Sequence, residues 1–239
     1  MRARIRFTKA GKIRFTSHRD VARVWERAFR KAELPVAYTE GFSPRPKLHF
    51  GLALSTGHES QAEYLDADLV GDIDPAVLPA RLTPVLPAGI EVTGATVVAP
   101  GTPSLQEDVV ASRWRIVLDG VTLEDAHEAV AAALAAPALV LTRVRKGETR
   151  SDDVRPAIEA LAVVAAPEGA LLDATLATRP RGLRPTELLA AVFPRHPDPD
   201  FAWSQVLRVQ QFIERDGSRS ELPPLAAAPA PHAVELACA

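Results

Sequence analysis

Basic side chains, a histidine and a phenylalanine are concentrated between residues 12 and 50, in a combination typical of a phosphate-binding surface. The candidate residues are Lys12, Arg14, Ser17, His18, Arg23, Arg27, Phe42, Arg45 and Lys47. Cationic side chains neutralise phosphates, and an aromatic ring stacks on an unpaired base. We therefore interpret this stretch as a nucleic-acid-binding site, with RNA as the expected partner.

The charge is distributed very unevenly along the chain. Residues 1–50 contain 13 Lys and Arg against 4 Asp and Glu, a net charge of +9. Residues 51–239 contain 15 against 26, a net charge of -11, and the overall charge is only -2. A positive region of this density attracts polyanions through its summed field and through counterion release. The alternative for any single arginine is an ordinary solvated surface charge.

A capped helix is expected to carry five of these 13 cations. Ser17 followed by Asp20 resembles a capping box, so we expect a helix from His18 to near Glu33, before Pro35. Ser17 and His18 then lie at the positive end of the helix, which favours an anion. Steps of three and four residues predict a buried stripe that contains Val21, Val24, Trp25, Ala28 and Ala32, and a cationic stripe that contains Arg19, Arg23, Arg27 and Arg30.

The segment after the helix is expected to be a stiff loop. Pro44 and Pro46 fix two backbone angles and remove two hydrogen-bond donors, which excludes a helix or an inner strand. Such a loop presents Phe42, Arg45 and Lys47 with little loss of conformational entropy. Phe42 either stacks on a base or fills the core beneath the loop, and the sequence leaves both open.

The sequence contains no complete catalytic signature. Phosphate-binding glycine loops and the motifs CxxxCxxC, HExxH and GxSxG are all missing. Cys238 is the only cysteine, so one chain cannot form a disulfide or a thiolate metal site, and we predict no bound metal. The remaining catalytic candidate is His18 as a general base, with Lys47 or Arg45 stabilising negative charge. An activity in this chain is thus less expected than binding.

A second candidate site lies in the segment 146–156. Lys146, Asp153 and Arg155 follow one another in a glycine-containing polar stretch, and Arg155 is available to pair with a residue or reach a ligand. The alternative is a polar loop in which Asp153 caps a short helix that begins near Pro156.

The order of elements predicts an α+β fold with two tandem ferredoxin-like (split βαβ) units and a hairpin extension. Arg2, Arg4 and Arg6 alternate with apolar residues and are expected on the outer face of a half-buried first strand, which pairs with a short strand at 12–15. We predict units at 1–99 and 111–215, a linker at 100–110 and a disordered Pro/Ala-rich tail at 216–239. No run of about 18 uncharged apolar residues occurs, which favours a cytoplasmic protein without membrane association.

The same residues resemble a known family. The run 10–47, the segment LSTGHESQAEYLD and the later KGETRSDDVRP are similar to the uncharacterised radical-SAM-linked protein family, a domain of unknown function. The similarity spans about residues 1–215 and is strongest at 11–68. Arg19 departs from the family pattern, where an apolar residue is frequent. The matching positions are Lys12, Arg14, Ser17, His18, Asp20, Arg23, Arg27, Gly41, Phe42, Pro44, Pro46, Lys47, Lys146, Gly147, Asp153, Arg155 and Pro156.

The resemblance implies a working partner. Because relatives can carry this module behind a radical S-adenosylmethionine domain, a separate chain is expected to act beside such an enzyme. S-adenosylmethionine and the iron-sulfur cluster would then belong to the partner, and this chain would need no cofactor. Our leading hypothesis is an RNA-binding accessory module that presents substrate to the radical-SAM enzyme. The alternatives are a stand-alone metal-independent RNA-processing enzyme and a protein-protein adaptor.

Overall fold

The computed structural model describes residues 1–145, 148–167, 169–194 and 205–224. Lys146, Gly147 and Glu168 therefore lie outside the described residues. The strands are β1 (Arg2–Lys9), β2 (Leu48–Phe50), β3 (Glu59–Asp68), β4 (Val92–Val97), β5 (Val109–Leu118), β6 (Val140–Arg145), β7 (Glu148–Asp153), β8 (Ile158–Ala166), β9 (Gly169–Ala177), β10 (Val206–Arg215) and β11 (Ser218–Glu221). The helices are α1 (His18–Lys31), α2 (Leu78–Leu82), α3 (Leu105–Asp108), α4 (Leu123–Ala135) and α5 (Pro185–Val192).

Most strands join one large sheet, and the fold is α+β with a mainly sheet-built core. Within this sheet, the first half of the chain contributes the order β4-β1-β3-β2 and the second half the order β10-β5-β9-β8. Neighbours within each group are antiparallel. Parallel pairing of β10 with β3, at Leu207 with Glu59 and Arg208 with Ser60, joins the two halves.

Each half of the sheet has its own apolar core. In the first half, Trp25 of α1 packs against Phe7 of β1, with ring centroids 4.8 Å apart. The ring centroid of Phe29 lies 6.0 Å from that of Trp25. In the second half, α4 and α5 bury Val130 and Leu188 in a cluster that contains Leu172 of β9. Thr122 caps α4 by accepting a hydrogen bond from the Asp125 amide. The sequence predicts α4 at 123–135, opened by Thr122, and α5 at 185–192, and both predictions are confirmed.

The N-terminal hairpin predicted at residues 2–15 is wrong. Gly11–Phe15 form a 3-10 helix instead of a returning strand. Gly11 turns the chain with φ +66°, and the Lys9 ammonium donates to the carbonyls of Arg14 and Thr16, which holds the short helix against β1. The true neighbours of β1 are β3 and β4. Alternation of charged and apolar residues identifies a strand but does not identify its partner.

The structure differs from expectation at two further places. β6 and β7 form a separate two-stranded hairpin, and β8 begins at Ile158, where the sequence indicated a turn and a short helix. The chain also does not become irregular at Asp216, because Ser218–Glu221 form β11 against β10. Leu222 is buried beyond it and its carbonyl accepts from the Tyr64 hydroxyl at 2.7 Å. Residues 225–239 of the predicted tail lie outside the described residues.

Candidate nucleic-acid interface

Helix α1 separates an apolar face from a cationic one, as its sequence predicts. Val21, Trp25 and Ala28 are buried. The α1 cationic face, which we define as Arg19, Arg23, Arg27 and Arg30, is exposed. Because the helix rises about 1.5 Å per residue, Arg19, Arg23 and Arg27 follow one another at steps of about 6 Å along its axis. The face can thus contact several phosphates of one strand.

Most of this face has no internal partner. Arg23 pairs with Asp20 at 3.1 Å, with both side chains more than half exposed, and such pairs are weak. Arg27 donates only to the backbone carbonyl of Arg23, at 3.2 Å. In the described part of the chain, no carboxylate lies within ion-pair distance of Arg19, Arg27 or Arg30. These cations can bind an external anion without first breaking a buried interaction.

The loop 39–47 is a narrow projection closed at its base. The Thr39 amide donates to the Arg45 carbonyl at 2.9 Å, and the Lys47 amide donates to the Ala37 carbonyl at 2.8 Å. Phe42 at the tip is fully exposed, at 110% of its reference area. Of the two possibilities for Phe42, the core position is thereby excluded. Arg45 is exposed and Lys47 is partly exposed.

The strand that follows the loop contacts the start of α1. The loop continues directly into β2, and the ring of Phe50 in β2 lies edge-on to His18 at the start of α1, with centroids 5.5 Å apart. His49 of β2 is also exposed and lies 3.4 Å from a carboxylate oxygen of Asp68. We use the term basic surface for the α1 cationic face together with Phe42, Arg45 and Lys47.

The arginines of β1 do not belong to the basic surface, although their alternation suggested an outer position. Arg4 and Arg6 are only 3% and 5% exposed. Arg4 forms two hydrogen bonds to Asp66, and Arg6 pairs with Glu221 at 2.6 Å. β11 and α3 supply carboxylates on this face of the sheet and bury the arginines. Because these elements lie far along the chain, no local pattern around β1 predicts their position. The positive charge of residues 1–50 is therefore partly neutralised internally.

The start of α1 is already occupied by a carboxylate. Ser17 accepts from the Asp20 amide at 3.2 Å, and its hydroxyl donates to the Asp20 carboxylate at 2.7 Å. The hydrogen bond from Ser17 is the main reason that the pKa of Asp20 lies below its ordinary value. Nearby, Arg14 pairs with Glu59 at 3.1 Å, whereas Lys12 is exposed. The expected anion at Ser17 and His18 would thus meet a negative charge.

His18 borders a small cavity of about 10 Å³, which also contacts Lys9 and Glu63. Lys9 is 3% exposed, and burial lowers the pKa of its ammonium. Its ammonium donates two hydrogen bonds, to the carbonyls of Arg14 and Thr16, so Lys9 acts as a buried structural donor. A cavity of this size holds about one water molecule, so it has no room for a nucleotide.

In the second candidate site, the side chains of Asp153 and Arg155 form hydrogen bonds to backbone groups of this chain. Asp153 accepts from the amides of Leu139 and Arg155 at 2.8 and 2.9 Å. Arg155 donates to the Leu134 carbonyl at 3.1 Å, in the last turn of α4. Both side chains therefore hold α4, β7 and the 3-10 helix Arg155–Ala157 together. Lys146, the third member, lies outside the described residues.

Two aromatic side chains near the basic surface were missed by the sequence reasoning. Phe15 is 61% exposed and lies beneath the Arg14 guanidinium, whose carbon is 4.9 Å from the ring centroid. Tyr38 is 51% exposed at the base of the loop, where it pairs with Pro46. The Arg-Phe dipeptide and the tyrosine next to the loop were the available signals.

The described residues contain neither a metal-binding cluster nor a membrane-spanning helix. Over residues 1–145, 148–167, 169–194 and 205–224, no group of three or more His, Cys, Asp or Glu side chains is arranged to hold a metal ion. In the same ranges, no helix combines the length and the apolar composition needed to cross a membrane.

The fold and the basic surface together define an α+β protein with one exposed cationic helix and an aromatic loop beside it. The chain belongs to a family described as uncharacterized protein conserved in bacteria (DUF2344), whose pattern matches residues 2–185. This match covers the basic surface and continues to the first residue of α5. A search of curated proteins finds no match.

Proposed function

We propose that this protein is an RNA-binding accessory module and that the basic surface is its RNA contact. The observation that carries this proposal is the exposed α1 cationic face together with the fully exposed Phe42, which lies on the loop that leads into β2, the strand in contact with the start of α1. Arginines that have no carboxylate partner within the protein can bind phosphates without first breaking an ion pair. An aromatic ring on a closed loop stacks on a base without much loss of conformational freedom.

Single-stranded regions of a structured RNA suit this surface best. Phe42 projects from a loop, where it can reach only a base that is splayed out of a helix. The cations on α1 contact the backbone and read no sequence. Specificity would thus come from RNA shape and from the unpaired base, which is the usual mode of protein-RNA recognition.

The resemblance to radical-SAM-linked proteins extends the proposal to a partner. A module that can follow a radical-SAM domain in one chain is suited to hold substrate for that enzyme when the two are separate. Residues 51–239, with their net charge of -11, offer a region that does not compete for RNA. S-adenosylmethionine and the iron-sulfur cluster would be bound by the partner alone.

We further propose that the two halves of the chain are tandem ferredoxin-like units. The orders β4-β1-β3-β2 and β10-β5-β9-β8 both support this interpretation. In each half a helix connects the first strand to the next, α1 in one and α4 in the other, which is the split βαβ order. The hairpin β6-β7 is then an insertion in the second unit.

The test is a salt titration of the full chain with a fluorescent single-stranded RNA and with a hairpin RNA. We expect the logarithm of the affinity to fall linearly with the logarithm of salt concentration. Arg23→Glu with Arg27→Glu should weaken binding at least tenfold and reduce the magnitude of the slope by about 1.4, because each single-strand phosphate contact contributes about 0.7.

The control reverses two exposed arginines elsewhere, Arg150→Glu with Arg179→Glu, and it alters the net charge equally. If this control loses less RNA affinity than the Arg23→Glu, Arg27→Glu variant of α1, the result supports the proposed surface. Equal losses for both variants would mean that only the overall charge matters, and unchanged affinity in the α1 variant would refute the site.

The enzyme alternative has one favourable observation, which is the position of His18 between the basic surface and buried Lys9. It predicts that His18→Ala abolishes RNA turnover while RNA affinity persists. Incubation of labelled RNA with the pure protein decides this, since cleavage or modification lost in His18→Ala would establish the enzyme. An adaptor would instead bind RNA weakly and without saturation.

A further inference from the structure

A cavity of about 190 Å³ lies at the junction of the two halves, away from the basic surface. Its walls come from the segment 52–55, from β5 and β9, from the start of α5, and from Arg208 of β10. Leu52, Trp114, Leu176, Leu183 and Pro185 make most of the lining apolar. Small-molecule sites are typically such apolar cavities with a few polar groups.

Two buried polar atoms at this cavity have no hydrogen-bond partner in the described structure. They are the Ser112 hydroxyl and the Nε-H of Arg208, on side chains that are each only 2% exposed. Buried groups of this kind are rare because an unmade hydrogen bond costs about 1–3 kcal/mol. An oxygen atom that accepts from both would remove that cost.

Arg208 is held in place by three hydrogen bonds from its Nη atoms, whereas its Nε has no partner among the described residues. Its Nη atoms donate to Glu63 at 2.9 Å and to the carbonyls of Leu52 and Ala53 at 3.0 and 3.1 Å. The guanidinium also lies over the Trp114 ring, 4.7 Å from the centroid. A side chain held at this many points is preorganised, so a ligand would bind it without an entropic cost of ordering.

The charge at the cavity indicates the sign of the ligand. Glu63 balances Arg208, but Arg184 is exposed at the cavity and has no carboxylate within ion-pair distance among the described residues. The Arg184 backbone amide does donate to Glu187 at 3.0 Å, so the start of α5 is itself satisfied. The uncompensated charge is thus the Arg184 side chain, which favours an anion.

We propose that this cavity binds a small organic acid with an apolar body. The carboxylate would accept from Arg208 Nε-H and Ser112 Oγ-H and interact with Arg184, while the apolar part packs on Leu176, Leu183 and Pro185. The inference goes beyond RNA binding, because the cavity shares no residue with the basic surface. A ligand here would contact both halves of the sheet and stabilise their junction.

The test uses 3-phenylpropionate and its neutral amide, 3-phenylpropanamide, as probes of equal size. Titration of the nitrogen-15-labelled full chain should shift the Trp114 indole and Ser112 amide signals saturably with the acid. We expect the amide to bind at least fivefold more weakly. Ser112→Ala and Arg184→Gln should each weaken acid binding at least threefold, whereas Arg150→Gln, which removes an exposed charge that does not line the cavity, should not.

Three outcomes would overturn the proposal. The first is no saturable shift with the acid up to about 20 mM. The second is equal binding of acid and amide, which would leave an apolar cavity without a carboxylate site. The third is loss of acid binding in Arg150→Gln as large as in Arg184→Gln. RNA affinity, measured in parallel, should be unaffected by either probe.

Discussion

Arg4 and Asp66 form a two-point ion pair across β1 and β3, with Nε to Oδ1 at 2.7 Å and Nη2 to Oδ2 at 2.9 Å. Both residues are at least 97% buried, and Asp108 of α3 lies 3.8 Å from the same guanidinium. The pair connects the centre of the sheet to the segment that joins the two halves. It also removes two of the charges that the sequence alone assigns to the surface.

Removing one partner of this pair should strongly destabilise the protein. Arg4→Leu leaves Asp66 buried without its cation, whereas Asp108 keeps its pair with Arg215. Breaking a buried pair in this way costs about 3–5 kcal/mol. Urea unfolding at neutral pH measures the loss. Arg2→Leu is the matched control, because the Arg2 side chain is 40% exposed in its pair with Asp68 and should cost about 1 kcal/mol or less. Equal losses for the two variants would contradict the role of burial.

Stability should fall as the pH decreases from 6.5 towards 4, and His58 is the cause. Burial, followed by the charges of Arg208 and Lys9, lowers the pKa of His58 from 6.5 to about 4. Between these values the unfolded chain binds a proton that the folded chain does not, so the free energy of unfolding decreases as the pH falls. The full difference corresponds to about 3 kcal/mol as an upper limit.

The variant His58→Gln separates this effect from other titrations, since glutamine has no proton to bind in this range. Urea unfolding at pH 7.5 and pH 5 should show a smaller loss in the variant than in the parent chain. The carboxylates contribute at lower pH: hydrogen bonds from Arg2 and Arg113 lower the pKa of Asp68 and Asp173 below 3.8, so their stabilisation is lost only as the pH falls through those lowered values. An identical pH dependence in both proteins would exclude His58.

The sequence predicts the starts of helices well. It predicts poorly which residues are buried by elements that lie far away in the chain. Ser17, Thr122 and Pro185 indicate helix starts that the structure confirms, because caps and first-turn prolines act within one turn of chain. The exposed position of α1 arginines also follows from helical spacing. The burial of Arg4 and Arg6 does not follow, since their partners Asp66 and Glu221 lie 62 and 215 residues away.

The same distinction applies to the cavity at the junction. Ser112 of β5 and Arg208 of β10 lie on paired strands that are far apart in the chain, and no motif marks either residue. The basic surface, in contrast, lies within one continuous stretch of about thirty residues, 19–47. Local sequence patterns predict a site only when the residues that form it are near one another in the chain.

Gly89 should not tolerate alanine. It adopts φ +91°, and a Cβ atom there would lie 2.1 Å from the Ala10 carbonyl oxygen and 2.9 Å from a methyl carbon of Ile13. The backbone of Ala10 and Gly89 is also joined by a hydrogen bond of 2.9 Å, so neither strand end can move away without breaking it. We expect Gly89→Ala to cost more than about 2 kcal/mol in urea unfolding, since strain and overlap add.

The comparison variant is Gly71→Ala, at φ +76° with no atom within 4 Å of the added carbon. Gly71→Ala introduces backbone strain without a steric overlap, and should lower the free energy of unfolding by about 1 kcal/mol. If Gly89→Ala is no more destabilising than Gly71→Ala, the close approach of Ala10 has no energetic consequence.

Phe42 provides the clearest separation of binding from folding. Its ring is fully exposed, so Phe42→Ala removes no buried contact and should leave the free energy of unfolding within about 0.5 kcal/mol of the parent. If the ring stacks on a base, the same change should weaken binding to single-stranded RNA by about 1–3 kcal/mol. The salt slope should stay unchanged, because the substitution removes no charge.

The control for Phe42 is Val140→Ala, which shortens another side chain that is 67% exposed but lies on β6, in the separate hairpin β6-β7. Fluorescence anisotropy with labelled RNA measures both variants beside Phe42→Trp, which keeps a stacking ring and should keep the affinity. Loss of affinity in both Phe42→Ala and Phe42→Trp would point to loop shape in place of stacking. An affinity that is unchanged in Phe42→Ala would show that the exposed ring has no part in RNA binding, and the basic surface would then act through charge alone.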